Sequence, residues 1–168
     1  MERRSRRAYQ REHRAPNPLP KVINLGHLPN LVGYALRRAQ IAVFRDFLKA
    51  FSKLDIRPIQ YGVLTVIELN PGLKQQEVCR ALGIRRANFV TLLNDLERRG
   101  LAQRGPSASD QRANALYLTA KGTALMRELR KINKVHEDRI AARLSQEKRS
   151  LLIQLLDQIK FSAGELNE

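Results

Sequence analysis

Several residue types are scarce in this 168-residue sequence, and each shortage excludes a class of protein. Tryptophan is absent and Cys79 is the one cysteine, so no disulfide can form within the chain. No apolar run approaches the roughly 18 residues that a membrane-spanning helix requires. The histidines lack the cysteine and carboxylate spacing of a metal site. His136, which precedes two acids, is expected on a solvated helix face.

The motifs of common enzyme classes are also missing. The sequence contains no P-loop, no nucleophile elbow and no pair of carboxylates in an apolar setting. We therefore predict that the protein is not an enzyme and has neither a cofactor nor a bound metal.

Acidic residues are few compared with basic ones, 16 against 31, which gives a net charge of +15. Such an excess favours a polyanionic partner, either nucleic acid or an anionic membrane. Residues 1–27 are predicted to be a basic flexible arm, either a solvated tail or a segment that follows the DNA backbone. Because no apolar stretch follows the first charges, we expect no secretory signal and a cytoplasmic protein.

The chain is organised around two short helices and a tight turn. The first helix is expected over about residues 74–82, and Gly83 is suited to end it because glycine reaches positive φ without steric cost. The second is expected over about residues 85–99. Its inward stripe has helical spacing and consists of Phe89, Leu92, Leu93 and Leu96. The pattern is typical of a helix-turn-helix, whose second helix enters the DNA major groove.

A predicted hairpin follows the two helices. Residues 101–104 form a short strand, residues 105–114 a turn-rich loop and residues 115–118 the returning strand. Thr119 is expected to cap a long helix, since its oxygen can accept from the free amides of the first turn. The fold class is therefore mostly α with a small β-hairpin wing, a winged helix-turn-helix with helical extensions.

The wing carries a specific signature, made by Arg104, Asp110, Arg112, Leu118, Thr119 and Gly122. With these residues the segment resembles the MarR family of bacterial transcription regulators. The resemblance implies that residues 28–168 form one domain, with a winged-helix core at about 56–120. It also implies dimerisation helices at about 28–54 and 120–163. A homodimer of this kind would bind double-stranded DNA at an inverted repeat with half-sites about one helical turn apart.

The outer side of the motif supplies the candidate DNA contacts. Arginine can pair with guanine and asparagine with adenine in the major groove, and polar side chains at a helix start can hold phosphate. The expected contacts are Gln75, Gln76, Arg85, Arg86, Asn88, Val90, Thr91 and, in the minor groove, Arg112. The resemblance also implies that Asp110 shapes the wing by pairing with an arginine, for which Arg104 and Arg80 are the candidates.

The first long helix, predicted over residues 28–54, is apolar over a wide arc and must be covered on two sides. It is similar to the branch of MarR regulators that respond to hydroxycinnamoyl-CoA thioesters or related aromatic acids. This resemblance implies an aromatic effector pocket near Tyr34, Phe44, Tyr61 and Met126. A CoA phosphate would then lie on Arg37 or Arg38. Alternatively, the two arginines pair with acids of the partner subunit.

Together these features predict a ligand-responsive, sequence-specific repressor of aromatic compound catabolism. An aromatic acid or its CoA thioester would release it from its operator. Two alternatives stay open at this point. One is a non-specific architectural nucleic-acid-binding protein that uses net charge alone, and the other is a redox-sensing regulator that uses Cys79.

Overall fold

The computed structural model describes residues 23–106 and 114–164. Contacts divide the chain into two units, residues 1–38 and 39–168. The described part of the first unit has a short 3-10 turn at Leu28–Asn30. Helix α1 begins at Val32 and ends at Ala50.

The predicted helix over residues 28–54 is therefore too long at both ends. Leu31, which ends the first 3-10 turn, has extended φ and ψ angles that a helix cannot continue. After α1 a second 3-10 turn covers Ser52–Leu54, and Asp55 then adopts a left-handed conformation with φ 48°. Within the second unit, Phe47 and Phe51 turn inward and become buried, whereas Phe44 and Leu48 are about half exposed.

Three helices follow and supply about half of the buried hydrophobic residues. They are α2 (Pro58–Leu69), α3 (Gln75–Leu82) and α4 (Arg86–Arg98). Pro58 occupies the first turn of α2, where a missing N–H costs nothing. Gln60 is buried and accepts from the Arg57 backbone N–H at 2.9 Å, while its amide donates to Asp95 at 3.0 Å. This side chain joins the start of α2 to α4.

The wing is an antiparallel pair of strands, β1 (Ala102–Pro106) and β2 (Asn114–Leu118). Gly105 and Pro106 pair with β2, so their predicted place in the loop is wrong. Their pairing is supported by Tyr117, whose hydroxyl donates to the Pro106 carbonyl at 2.8 Å. Backbone hydrogen bonds of 2.9 Å also join Leu116 to the segment before α3.

Two further helices follow β2 in the described part of the chain, α5 (Ala120–Ile140) and α6 (Gln146–Gly164). The predicted cap is confirmed, because the Thr119 hydroxyl accepts from the Gly122 N–H at 3.0 Å. Position 122 has room for no residue larger than glycine. A Cβ on it would lie 1.9 Å from the carbonyl oxygen of Leu101, at the start of the wing. The glycine therefore lets α5 approach the backbone that leads into β1.

Candidate nucleic-acid interface

The turn between α3 and α4 has the geometry that its sequence predicts. Gly83 adopts φ 62°, and its N–H reaches back to the last turn of α3. The next N–H, of Ile84, donates to the Cys79 carbonyl at 2.9 Å. Arg85 is extended and precedes the first residue of α4. The glycine thus reverses the chain in a few residues and starts α4 with its free N–H groups exposed.

Helix α4 has one face buried in the core and the other exposed to solvent. Phe89, Leu93 and Leu96 are fully buried, and Leu92 is partly buried against the same core. The predicted contact residues of this helix and its cap all lie on the solvent side, and they are Arg85, Arg86, Asn88, Val90 and Thr91. The helix therefore presents two cations, an amide, a hydroxyl and a methyl-bearing side chain, which are the groups that read base edges and hold phosphate.

The first turn of α3 offers a smaller polar surface. Gln76 is exposed and Gln75 is half-buried. Glu77 accepts from the Lys74 backbone N–H at 2.7 Å, which caps the start of the helix. This hydrogen bond holds the turn in place, and Gln76 stays exposed beside it.

Arg104 ties the base of the wing to α4. Its guanidinium pairs with Glu97 and donates to the Asn94 side chain at 3.1 Å. The backbone N–H of Arg104 also donates to Glu97, at 3.2 Å. Sequence reasoning missed Glu97, because a contact between a helix and the following strand leaves no periodic signal. Asp110 and Arg112 lie outside the described residues, so their predicted roles stay predictions.

A cluster of rings joins α1, α2 and α5 within the second unit. Phe47 and Phe51 are stacked with ring centroids 3.8 Å apart, and Tyr61 lies 5.8 Å from Phe51. The imidazole of His136 meets the Phe47 ring edge-on at 5.5 Å. Burial raises the pKa of the Tyr61 phenol, so this group stays protonated at neutral pH.

His136 is 2% exposed, so its predicted position on a solvated helix face is wrong. Its Nδ1 donates to the Asp46 carboxylate at 2.6 Å. The Arg139 guanidinium donates two further hydrogen bonds to the same carboxylate, at 2.7 and 2.8 Å. The neighbouring Phe rings cover the imidazole. The two acids that follow His136 in the sequence had indicated a solvated position instead. The hydrogen bonds from Arg139 and His136 lower the pKa of Asp46 from 3.8 to about 2.

This ion pair predicts how stability depends on pH. Because the folded pKa of Asp46 is depressed, its contribution is complete above about pH 4 and is lost as pH falls towards 2. At pH 7, Asp46→Asn is expected to lower the free energy of unfolding by about 1.5 kcal/mol. Urea unfolding should show a similar difference at pH 7 and pH 4 and a smaller one at pH 2.5. Asp138→Asn, which removes an exposed pair with Lys134, is the control. A difference independent of pH would contradict the assignment.

The predicted effector residues are divided between the two units. In the first unit Tyr34 is half-buried, and Arg37 and Arg38 are exposed. Among the described residues neither arginine forms an ion pair. In the second unit Phe44 is 45% exposed, Tyr61 is half-buried and Met126 is fully buried in the core. Their shared role in binding an effector stays a prediction.

Comparison with known proteins agrees with this geometry. Residues 54–113 match the sequence profile of the MarR family. The regulatory protein named for the hcr operon of Thauera aromatica is 33% identical over 153 residues, which cover 89% of this chain and 92% of that protein. The chain belongs to the MarR family. The predicted family and the prediction of a transcription regulator are thereby confirmed.

Structures of MarR-family regulators superpose on the chain. The repressor CouR bound to a 23-mer DNA duplex is 41% identical, with a TM-score of 0.78 over 83% of this chain and 99% of that one. CouR bound to p-coumaroyl-CoA is 39% identical, with a TM-score of 0.76 over 83% of this chain and 98% of that one. These matches confirm the winged-helix fold class and the resemblance to the hydroxycinnamoyl-CoA-responsive branch.

The described residues of this MarR-family chain contain neither a metal-binding cluster nor a membrane-spanning helix. Across residues 23–106 and 114–164, no group of three or more histidine, cysteine and acidic side chains is arranged to hold a metal ion. Nor does any helix in that part of the chain combine the length and apolar character needed to cross a membrane.

Proposed function

We propose that this protein is a homodimeric repressor that binds an inverted-repeat operator and is released from it by an aromatic acyl-CoA thioester. The observation that carries the proposal is the likeness to CouR, at 41% and 39% identity, in its DNA-bound and p-coumaroyl-CoA-bound structures. Redox sensing by Cys79 has no comparable support, because this thiol is buried inside α3. Thiols that sense oxidants are typically accessible.

Contact with DNA is assigned to the exposed side of α4. Arg86 and Asn88 stand at its N-terminal end, which is the end that meets base edges in helix-turn-helix proteins. The Glu97–Arg104 pair holds the base of the wing against the same helix. Placing α4 in a major groove therefore also directs the wing along the duplex, where Arg112 would reach the flanking minor groove.

The dimer is inferred from apolar surface that one chain leaves uncovered. On α6, six large apolar side chains are between 38% and 55% exposed. They are Leu151, Leu152, Ile153, Leu155, Leu156 and Ile159. On α1, Phe44 is 45% and Leu48 is 50% exposed. Monomeric proteins rarely leave an apolar patch like that of α6 exposed, and a two-fold axis lets the same faces of two subunits cover each other.

The effector-binding residues are proposed from the negative charge of the CoA phosphates. These phosphates need cations that have no carboxylate partner already, and Arg37 and Arg38 meet this condition among the described residues. A guanidinium binds phosphate with two parallel hydrogen bonds. The hydroxycinnamoyl group would lie against an aromatic side chain such as Tyr34. A free acid lacks the phosphates and so loses this part of the binding energy.

A gel-shift titration on the DNA upstream of the gene tests the proposal. Excess competitor DNA is present, and p-coumaroyl-CoA, feruloyl-CoA, the free acids and CoA alone are added in parallel. We expect a discrete complex that micromolar thioester releases and that the free acids and CoA leave intact. The Arg37→Gln, Arg38→Gln double variant should bind the DNA normally but need at least tenfold more thioester for release. Arg45→Gln, another exposed arginine of α1, is the matched control.

The outcomes separate the parts of the proposal. A discrete complex that no thioester releases would retain the DNA-binding role and reject the effector. Smeared binding that competitor DNA abolishes would favour the architectural alternative. Equal thioester sensitivity of the double variant and the Arg45→Gln control would reject the arginines as the phosphate site.

A further inference from the structure

Asn94 lies on the outer face of α4 but is not among the DNA contacts predicted from the sequence. It follows Val90 and Thr91 at i+4 and i+3, so the three side chains share the solvent side of the helix. Its surroundings differ from theirs, because its side chain meets Arg104 of β1 at the base of the wing. Asn94 therefore stands where α4 and the wing join.

The contact with Arg104 fixes which way the Asn94 amide points. The Nη2 atom of Arg104 donates to Oδ1 of Asn94 at 3.1 Å. A guanidinium has N–H donors and no acceptor, so it can pair only with the oxygen of an amide and never with its nitrogen. The oxygen is therefore turned towards the wing. The N–H2 group of this exposed side chain has no partner among the described residues.

Arg104 is itself held in place by Glu97, one turn further along α4. Its guanidinium pairs with the Glu97 carboxylate, and its backbone N–H donates to the same side chain at 3.2 Å. The exposed fractions are 29% for the Arg104 side chain and 24% for that of Glu97, so packing restricts both. The chain of contacts from Glu97 through Arg104 to Asn94 thus orients the amide before any DNA is bound.

An amide oriented in this way selects the kind of group that it can bind. The bidentate pairing of asparagine with adenine requires both ends of the amide to face the base edge, but the Asn94 oxygen is turned towards Arg104 instead. A phosphate oxygen needs only a donor, and phosphate and sugar receive a large share of the hydrogen bonds between proteins and DNA. The free N–H2 group of Asn94 therefore suits a phosphate.

The position of Asn94 indicates which phosphates are within reach. When a recognition helix lies in the major groove and a wing lies over the adjacent minor groove, the backbone of one strand runs between them. A side chain at the junction of α4 and β1 faces that backbone. Arg86, at the N-terminal end of α4, faces the bases instead.

We propose that Asn94 is a phosphate-binding residue, whose N–H2 group donates to the strand that passes between α4 and the wing, and that Arg104 is its positioning residue. The inference rests on the proposed function, because it requires α4 to lie in a major groove. The contact fixes the register of α4 and the wing together on the duplex, since phosphate contacts set orientation without reading sequence.

Aspartate and alanine at position 94 separate a DNA contact from a structural role. Asn94→Asp keeps the shape of the side chain and gives Arg104 a charged partner, so the midpoint of urea unfolding should equal or exceed that of the wild type. Its carboxylate would face the phosphate, and we expect affinity for the operator to fall about thirtyfold or more, because like charges meet. Asn94→Ala should weaken binding about tenfold, the effect of one hydrogen bond to a charged group.

The order of the two variants carries the test, which uses fluorescence anisotropy of the full-length protein with labelled operator DNA. A residue that merely braced the wing would give the reverse order, because aspartate is the better partner for arginine. Gln146→Glu makes the same change from amide to carboxylate at an exposed position in the first turn of α6. Its affinity should stay within about twofold of the wild type, because salt screens a distant exposed charge.

Duplexes that each carry one neutral methylphosphonate linkage locate the phosphate. We expect one linkage in each half-site whose substitution weakens binding of the wild type about fivefold or more and that of Asn94→Ala by less than about twofold. Loss of the second effect once the first has been made is the mark of a direct contact.

Three results would overturn the inference. They are Asn94→Asp binding the operator as tightly as Asn94→Ala, no linkage whose effect depends on Asn94, or a dependence on one base pair in place of one phosphate. In each case a discrete complex of the wild-type protein that Arg86→Ala weakens would leave the proposed function standing. Absence of any discrete complex with the wild type would instead reject the proposed function itself.

Discussion

Replacing Arg86 by alanine should weaken binding to the operator by about ten- to a hundredfold while leaving the fold intact. The side chain is exposed in the first turn of α4, so its removal opens no cavity in the core. A bidentate arginine–guanine pair contributes about 1–3 kcal/mol of discrimination, which sets the size of the effect. Fluorescence anisotropy with labelled operator DNA, at several salt concentrations, measures it.

Arg98→Ala is the matched control for this prediction. It lies on the same helix but at the opposite end, where it pairs with Asp95. We expect its operator affinity to stay within a factor of about two, as an exposed ion pair has a small effect. The salt dependence then separates two roles for Arg86. A lost phosphate contact lowers the salt slope by about one, whereas a lost base contact relaxes specificity at one position. Equal affinities for Arg86→Ala and wild type would mean that this end of α4 does not meet the bases.

The second large effect is on stability. Gly122→Ala is expected to lower the free energy of unfolding by about 3 kcal/mol, the upper part of the range for forced overpacking. The new methyl group would lie 1.9 Å from the Leu101 carbonyl oxygen, and backbone atoms cannot rotate away as a side chain can. Helix α5 must then move off the start of the wing, which stretches the 3.0 Å cap between Thr119 and Gly122. Urea unfolding followed by circular dichroism gives the change in midpoint.

Gly62→Ala is the matched control for Gly122→Ala, because it is the same substitution within another helix. There the added Cβ would meet Leu82 at 3.8 Å, an ordinary contact. Alanine has the higher helix propensity, so this variant should gain about 0.5–1 kcal/mol. Opposite signs for the two variants would show that close approach of backbone, and not glycine content, sets the requirement at Gly122. If Gly122→Ala unfolds at the wild-type midpoint, the close approach of α5 to Leu101 is wrong.

Local patterns were sufficient for the helix-turn-helix and the wing. Gly83 determines where α3 ends, Thr119 determines where α5 begins, and the spacing of Phe89, Leu93 and Leu96 determines which face of α4 is buried. These signals depend on neighbours within about one turn of the chain, so they survive in a single sequence. The same patterns left the exposed residues of α4 as the candidate DNA contacts.

The predictions from sequence failed where segments that are distant along the chain pack together. His136 was expected in solvent because two acids follow it, but packing against Phe47 and Phe51 buries it and Asp46 supplies its partner 90 residues away. The buried aromatic residues here are Phe47 in α1 and Phe51 just after it, while Phe44 remains about half exposed. A wide apolar arc does not say which part of it faces the chain's own core.

The sequence by itself therefore determined the family, the winged helix and which residues of α4 are the candidate DNA contacts, because short-range periodicity, capping and the wing signature are all local. Only the tertiary structure decided the Asp46–His136–Arg139 cluster and the Glu97–Arg104 ion pair. Each of these joins residues from different elements. Their contacts follow from how the helices pack, and no spacing along a single segment encodes that packing.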